Sequence, residues 1–366
     1  MIELGLTTAQ RAQYFETLRR PHRMRVLTTL LDSSENYVGS ISGRVTAGQV
    51  VGDLASSVQM SAQLSMRVDD LQRTPRRGDV VRLRREVLTP FGWYGPPLFT
   101  GPVDKAVLAG DVLDLDLLCK SSLLRSPVRG VKTYRKGLTR VGVMRDLAYD
   151  CGERRFDLPA WTATLGAPLQ IRAGKQRWSY IVMQGRSMRG QVFFNGAGAM
   201  RLREWPTGTS AWFNESTLTS VPQRVEDDAD VVNAVIVKGK PPAGKKTWRI
   251  EGRAYIPAWH RLSPQKYGRN GVPRFVWEEI VDETIRTKKD AQAAADRRVR
   301  ELLAADGSVT FTALPMPGIE LGDVQQVSAD GVVTGYRLSA FTIPLTHDEP
   351  MTVGYTKPLR RRSLKR

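Results

Sequence analysis

The residues able to do chemistry are few and badly placed for it. His22, His260 and His347 are the chain's three histidines, far apart in the 366 residues. None sits in a metal-binding or nucleophile–base motif. Structural or surface roles are expected for all three. Cys119 and Cys151 are the two cysteines, without metal-ligand spacing, so reduced thiols are expected rather than a disulfide framework or a zinc module. The carboxylate pairs Asp69-Asp70, Asp227-Asp228 and Glu278-Glu279 have the residue type of glycoside hydrolysis. Adjacent residues of a strand point to opposite faces, however, which makes each a poor acid/base pair. Gly196-Ala197-Gly198 is too short for a phosphate cradle and lies in a hairpin pattern. Trp248 and Trp259, beside Lys245, Lys246, Arg249 and Arg261, could stack on bases, but aromatics flanked by arginine are also typical of subunit interfaces, the reading favoured here. No catalytic residue, cofactor site or metal site is expected, and the chain is read as a non-enzyme.

Charge is the loudest compositional signal: 55 Lys and Arg face 37 Asp and Glu, a net +18. Such a surplus draws a protein toward polyanions. Part of it is local, because Lys357, Arg360, Arg361, Arg362, Lys365 and Arg366 give the last ten residues six cations and no anion. They are expected to form a basic arm, available to nucleic acid or an acidic neighbouring subunit, or simply solvated. The rest is dispersed over Arg76-Arg77, Arg84-Arg85, Lys238 to Lys246 and Arg297-Arg298. No apolar run approaches the ~20 residues that span a bilayer, and the polar, charged start resembles no secretory leader.

Those side chains ride on elements that the patterning predicts. Thr7-Thr8 before Ala9, Ala12, Phe15 and Leu18, closed by Pro21, reads as a capped helix within 1–22. Residues 23–125 are strand-like almost throughout, with clear alternation at Met60, Ala62, Leu64, Met66 and Val68, and read as a first β-barrel domain. Residues 126–222 form a middle α+β region: a helix within Gly137 to Tyr149, a helical or mixed segment at Gln176 to Gln184, and a hairpin from Gln191 to Leu202. Residues 223–346 return to β grammar as a second barrel, with a packed helix at 287–305 whose Ala291, Ala295, Val299 and Leu302 share a face. Residues 347–366 are the basic arm. The fold class expected is mainly β, two similar barrels flanking an α+β insertion.

An internal echo supports the pairing of the β units. Gly78-Asp79-Val80-Val81 with Thr100-Gly101-Pro102-Val103 is answered by Gly322-Asp323-Val324 with Thr334-Gly335-Tyr336-Arg337. Gly reaches positive φ and Asp bonds nearby backbone amides, so each Gly-Asp is a turn entering a strand. Two similar units per chain would let three copies present six similar surfaces.

The order of phrases resembles the baseplate hub or tail-tip proteins of bacteriophages and the related secretion-system spike hubs. It runs from Gly78-Asp79-Val80-Val81 and Leu98-Phe99-Thr100-Gly101 through Gly137-Leu138, Trp178, Phe193-Phe194-Asn195 and Val232-Asn233-Ala234-Val235 to Leu314-Pro315-Met316-Pro317 before Gly322-Asp323. It covers roughly residues 23 to 346. The resemblance implies a homotrimeric structural adaptor in the virion tail, joining a sixfold distal tail or tube ring to a threefold fibre or spike. It also implies a tape-measure protein as neighbour and transient contact with genomic DNA in an ejection channel. The alternatives are a nucleic-acid-binding module and a tail-tip cell-wall hydrolase.

Overall fold

The computed structural model describes residues 5–70, 74–214, 216–220, 223–225, 231–240, 250–282, 285–305, 308–329, 332–347 and 349–356. Two compact units emerge among the described residues: those of 5–220 with those of 310–355, and those of 223–309 with Thr356.

In the first unit, Thr7 caps helix α1 (Thr8–Leu18) through a capping box, its hydroxyl accepting from the Gln10 amide at 3.3 Å. Tyr14 and Leu18 are its buried residues. Seven strands follow: β1 (Met24–Leu31), β2 (Tyr37–Asp53), β3 (Met60–Asp70), β4 (Val80–Thr89), β5 (Gly92–Tyr94), β6 (Pro97–Ala109) and β7 (Val112–Leu118). The period-two alternation read from β3 is realised, with Ala62, Leu64 and Met66 buried beside Leu113, Leu115 and Leu117 of β7. Hydrogen bonds link them in the order β1-β4-β6-β7-β3-β2, and β1 also pairs with β2.

The middle region opens with a 3-10 turn (Lys120–Arg125), then β8 (Lys132–Tyr134), α2 (Arg140–Tyr149), β9 (Phe156–Asp157), β10 (Leu169–Ile171), α3 (Arg177–Ser187), β11 (Gly190–Phe194), β12 (Met200–Glu204) and β13 (Thr209–Phe213). The expected helix and hairpin are present, and the segment read as helical or mixed is the helix α3. Their core is Val143, Met144, Leu147, Trp178, Ile181, Phe194 and Leu202.

Residues 223–346 divide between the two units, 223–309 in one and 310–346 in the other. Residues 231–305 hold β15 (Ala234–Gly239), β16 (Glu251–Tyr255), the short helix α4 (Pro264–Tyr267), β17 (Trp277–Asp282) and α5 (Lys288–Ala305), after a short strand β14 (Gln223–Val225). Their sheet, ordered β16-β15-β17, is closed on one face by α5 through Ala291, Ala295 and Val299. The strands after it, β18 (Ser308–Ala313), β19 (Val324–Ala329), β20 (Val332–Pro344) and β21 (Met351–Thr356), continue the large sheet of the first unit in the order β2-β20-β21-β18, with β19 on β20 and β13 on β19. The join is five residue pairs, Gln49↔Pro344 to Asp53↔Ala340. The two expected barrels are therefore one linked sheet. Alternation fixes that a segment is a strand and which side chains face inward; it does not fix the partner, and β2, at 17 residues, is long enough to serve several. The first residues of the expected C-terminal arm are also ordered: Met351, Val353 and Tyr355 alternate into the core as β21.

Candidate functional site

The two Gly-Asp turns use one hydrogen-bond device twice. At the first, Gly78 has φ +98°, the Asp79 amide donates to the Arg76 carbonyl (3.0 Å), and the Asp79 carboxylate accepts from the Arg76 amide (2.8 Å). The Val103 amide on β6 then donates to the Asp79 carbonyl at 2.9 Å. At the second, Gly322 has φ +85°, the Asp323 amide donates to the Glu320 carbonyl (3.0 Å), and the Asp323 carboxylate accepts from the Glu320 amide (2.9 Å). The Leu338 amide on β20 donates to the Asp323 carbonyl at 2.8 Å. Glycine is needed because a Cβ is disfavoured at such φ. The aspartate folds its carboxylate back on an amide the turn would otherwise leave bare.

The Thr-Gly half of the echo is offset. Gly101 lies opposite Val81, whereas Gly335 lies opposite Gln326, one residue further along its strand.

Between the turns sits the hairpin β11–β12, which grips both strand systems. Its bend, Asn195 to Ala199, meets β6: the Thr100 hydroxyl donates to the Gly196 carbonyl at 2.8 Å, and a Cβ on Gly196 would overlap the Pro97 carbonyl. Gly196 serves close backbone approach, while Gly198 takes a φ of +83° against the Thr100 side chain. Its stems meet the second turn: Arg203 donates to Glu320 (3.1 Å), to Asp323 (3.0 Å) and to the Leu321 carbonyl (2.7 Å), while Arg201 reaches Glu320 at 3.1 Å. Gln191 adds a bond to the Leu321 carbonyl at 2.7 Å. The Asp323 carboxylate is thus shared between its own turn and the hairpin.

A second buried ionic knot locks the same hairpin to the β1–β2 turn. Lys120 is 2% exposed, and its ammonium donates to the Gly198 carbonyl (2.7 Å) and pairs with Glu153 (2.6 Å) and with Glu35. Arg155 holds Glu35 from the other side at 3.1 Å. The Lys120 ammonium and the Glu153 carboxylate are nearly dry, where a missing partner is costly.

The other residues singled out from the sequence disperse. Glu278 turns toward α5 and pairs with Arg298 at 2.8 Å, while Glu279 pairs with Lys238 on the opposite face, as strand alternation requires. Asp227-Asp228, Trp248 with Lys245, Lys246 and Arg249, and the arm residues Lys357, Arg360, Arg361, Arg362, Lys365 and Arg366 lie outside the described residues. Cys119 is buried, which pushes its thiol pKa up, and Cys151 is a free thiol elsewhere in the middle region. Among the described residues, no cluster of three His, Cys, Asp or Glu is placed to hold a metal, and no helix is long and apolar enough to cross a membrane.

Sequence reasoning missed two features. His22 and His347, 325 positions apart, meet with ring centroids 5.5 Å from each other. On the open face of the β16-β15-β17 sheet, Tyr255, Phe275 and Trp277, each 44% exposed, touch over the small Ala234, Phe275 and Trp277 stacking at 5.9 Å. The i, i+2 aromatic spacing of Phe275 and Trp277 was the available signal.

Neither a family model nor a curated protein matches this sequence. Solved structures do match in fold. A tail protein from Neisseria meningitidis MC58 superimposes with a TM-score of 0.66 at 12% identity, over 91% of this chain and 97% of that one. The 43 kDa tail protein of prophage MuSo2 from Shewanella oneidensis gives 0.62 at 10% identity, over 90% and 97%. Prophage tail protein gp18 from Listeria monocytogenes EGD-e gives 0.53 at 10% identity, over 92% and 95%. The fold of this chain is that of phage tail proteins.

Proposed function

We propose that the chain is a non-enzymatic structural protein of a phage tail tip, a homotrimeric hub that joins the sixfold distal tail or tube ring to a threefold fibre or spike. The observation that carries this reading is the repeated turn: Gly78-Asp79 and Gly322-Asp323 open strands with the same three hydrogen bonds. Two matched strand entries per chain, in a chain with the fold of tail proteins, give three copies six similar turns. A threefold body then meets a sixfold ring without changing its own sequence.

The buried ionic knots suit a mechanical part. They fix the hairpin between the strand systems in one arrangement, and rigid register is what a stacked ring requires. The exposed aromatic face around Trp277 has the composition favoured at subunit interfaces. In this reading the protein resides in the virion tail, with a tape-measure protein and transient genomic DNA as further contacts. The arm from Lys357 to Arg366 meets an acidic subunit or passing DNA, and its deletion leaves the fold intact.

Mass photometry of the purified chain at micromolar concentration tests this reading. A trimer is expected; a monomer under assembly conditions contradicts it. A filter-binding titration separates it from a nucleic-acid-binding module, which requires tight binding with a steep salt dependence.

A further inference from the structure

Helix α1 covers a charge that has no counter-charge. Arg85 on β4 is 1% exposed, and its Nε and Nη1 are buried without a hydrogen-bond partner. The neighbouring Glu86 faces the other way and is taken by Arg25 at 2.7 Å. Above Arg85 lies Tyr14 of α1, fully buried with its phenolic oxygen unpartnered, in a small apolar cluster with Leu18, Val87, Phe91 and Tyr94. Burial drives the guanidinium down to about 10 and the phenol well above its ordinary value. Uncompensated burial of a cation works against whatever buries it. Here that is the helix.

The connection from α1 to β1 is closed by the histidine pair. His22 Nδ1 donates to the Arg20 carbonyl at 2.8 Å, which leaves Nε2 as the bare nitrogen, and that nitrogen is buried without a partner. His347, beyond β20, donates its Nε2 to the His22 carbonyl at 2.6 Å. The charged or titratable groups acting on His22 are Arg85 from β4 and His347; both oppose its protonation, as does burial, the largest cause, while the Arg20 and Thr17 carbonyls favour it. The net shift is downward. The contact is therefore intact above the ordinary value of 6.5 and is lost as pH falls through the lower folded value.

We propose that α1 is a displaceable strap: residues up to His22 undock from β4, and the guanidinium of Arg85 thus uncovered takes a carboxylate side chain from a protein partner. A carboxylate neutralises the guanidinium and accepts from bare Nε or bare Nη1, each of which makes a forked contact together with Nη2. Identification of the partner as a tail subunit rests on the function proposed above; the strap and its anion preference do not.

Amide hydrogen exchange of the full chain tests both. In the wild type, the α1 amides are expected to exchange at least tenfold faster than those of β4, and faster at pH 5.5 than at pH 8 after correction for intrinsic rates. Arg85→Met slows α1 exchange by tenfold or more, and His22→Asn removes the pH dependence. A tetraglutamate peptide at millimolar concentration accelerates α1 exchange in the wild type but not in Arg85→Met. If α1 exchanges in step with β4 at both pH values, the strap is refuted even should Arg85→Met prove insoluble. A peptide effect that is absent in the wild type, or equal in both proteins, refutes the carboxylate site.

Discussion

Arg203→Met removes the centre of the link between the hairpin and the second Gly-Asp turn while roughly preserving side-chain volume. The substitution deletes contacts to Glu320, Asp323 and the Leu321 carbonyl. Glu320 keeps Arg201 at 3.1 Å, so the carboxylate that loses its guanidinium is chiefly that of Asp323, which is 0% exposed. Breaking a buried pair from one side costs about 3–5 kcal/mol, and the remaining Arg201 contact favours the lower figure, about 3 kcal/mol. Against a total stability of ~5–15 kcal/mol, urea unfolding followed by circular dichroism resolves such a loss easily. Arg203→Lys keeps the charge without the planar fork and is expected to fall between the two. A cost under about 1 kcal/mol would refute the assignment of Arg203 as the electrostatic link.

Three further perturbations follow from the same geometry. Lys120→Met leaves Glu153 buried without its ammonium and should cost about 3–5 kcal/mol in urea unfolding, with more than half recovered in the double variant carrying Glu153→Gln. Gly196→Ala drives a methyl into the Pro97 carbonyl and should lower stability by about 1–3 kcal/mol while speeding amide exchange across β11 and β12. Asp146 is opposed by burial but held below its ordinary 3.8 by bonds from Lys132 and Tyr134. Its contribution is therefore present above that value and lost as pH falls through the lower folded pKa, so Asp146→Asn should flatten the acid limb of the stability curve.

Local grammar in the sequence was sufficient for most elements. Thr7 caps the helix it precedes, and the Ala291, Ala295 and Val299 face packs as its spacing requires. The Gly-Asp turns were legible because their chemistry is contained in four residues. What escaped was pairing at a distance. Nothing in the alternation of Met351, Val353 and Tyr355, short and followed by a run of cations, separates a buried strand from the start of an arm. Nothing local joins Gln49 to Pro344, or distinguishes a sheet that includes β19 and β20 from a separate barrel. The ionic knots were equally hidden: Arg203 and Asp323 are 120 residues apart, and Lys120 looks like a surface lysine until the Gly198 carbonyl and two glutamates enclose it.

In the proposed hub, two matched turns per chain give a trimer six similar strand entries. Electron microscopy of the purified protein, or of the particle that contains it, tests this most directly. The expected image is a threefold ring with six similar lobes, the strands entered at Gly78-Asp79 and Gly322-Asp323 occupying equivalent positions about one axis. A ring of another order, or a trimer in which rotation about that axis cannot bring the two turns into correspondence, would contradict it.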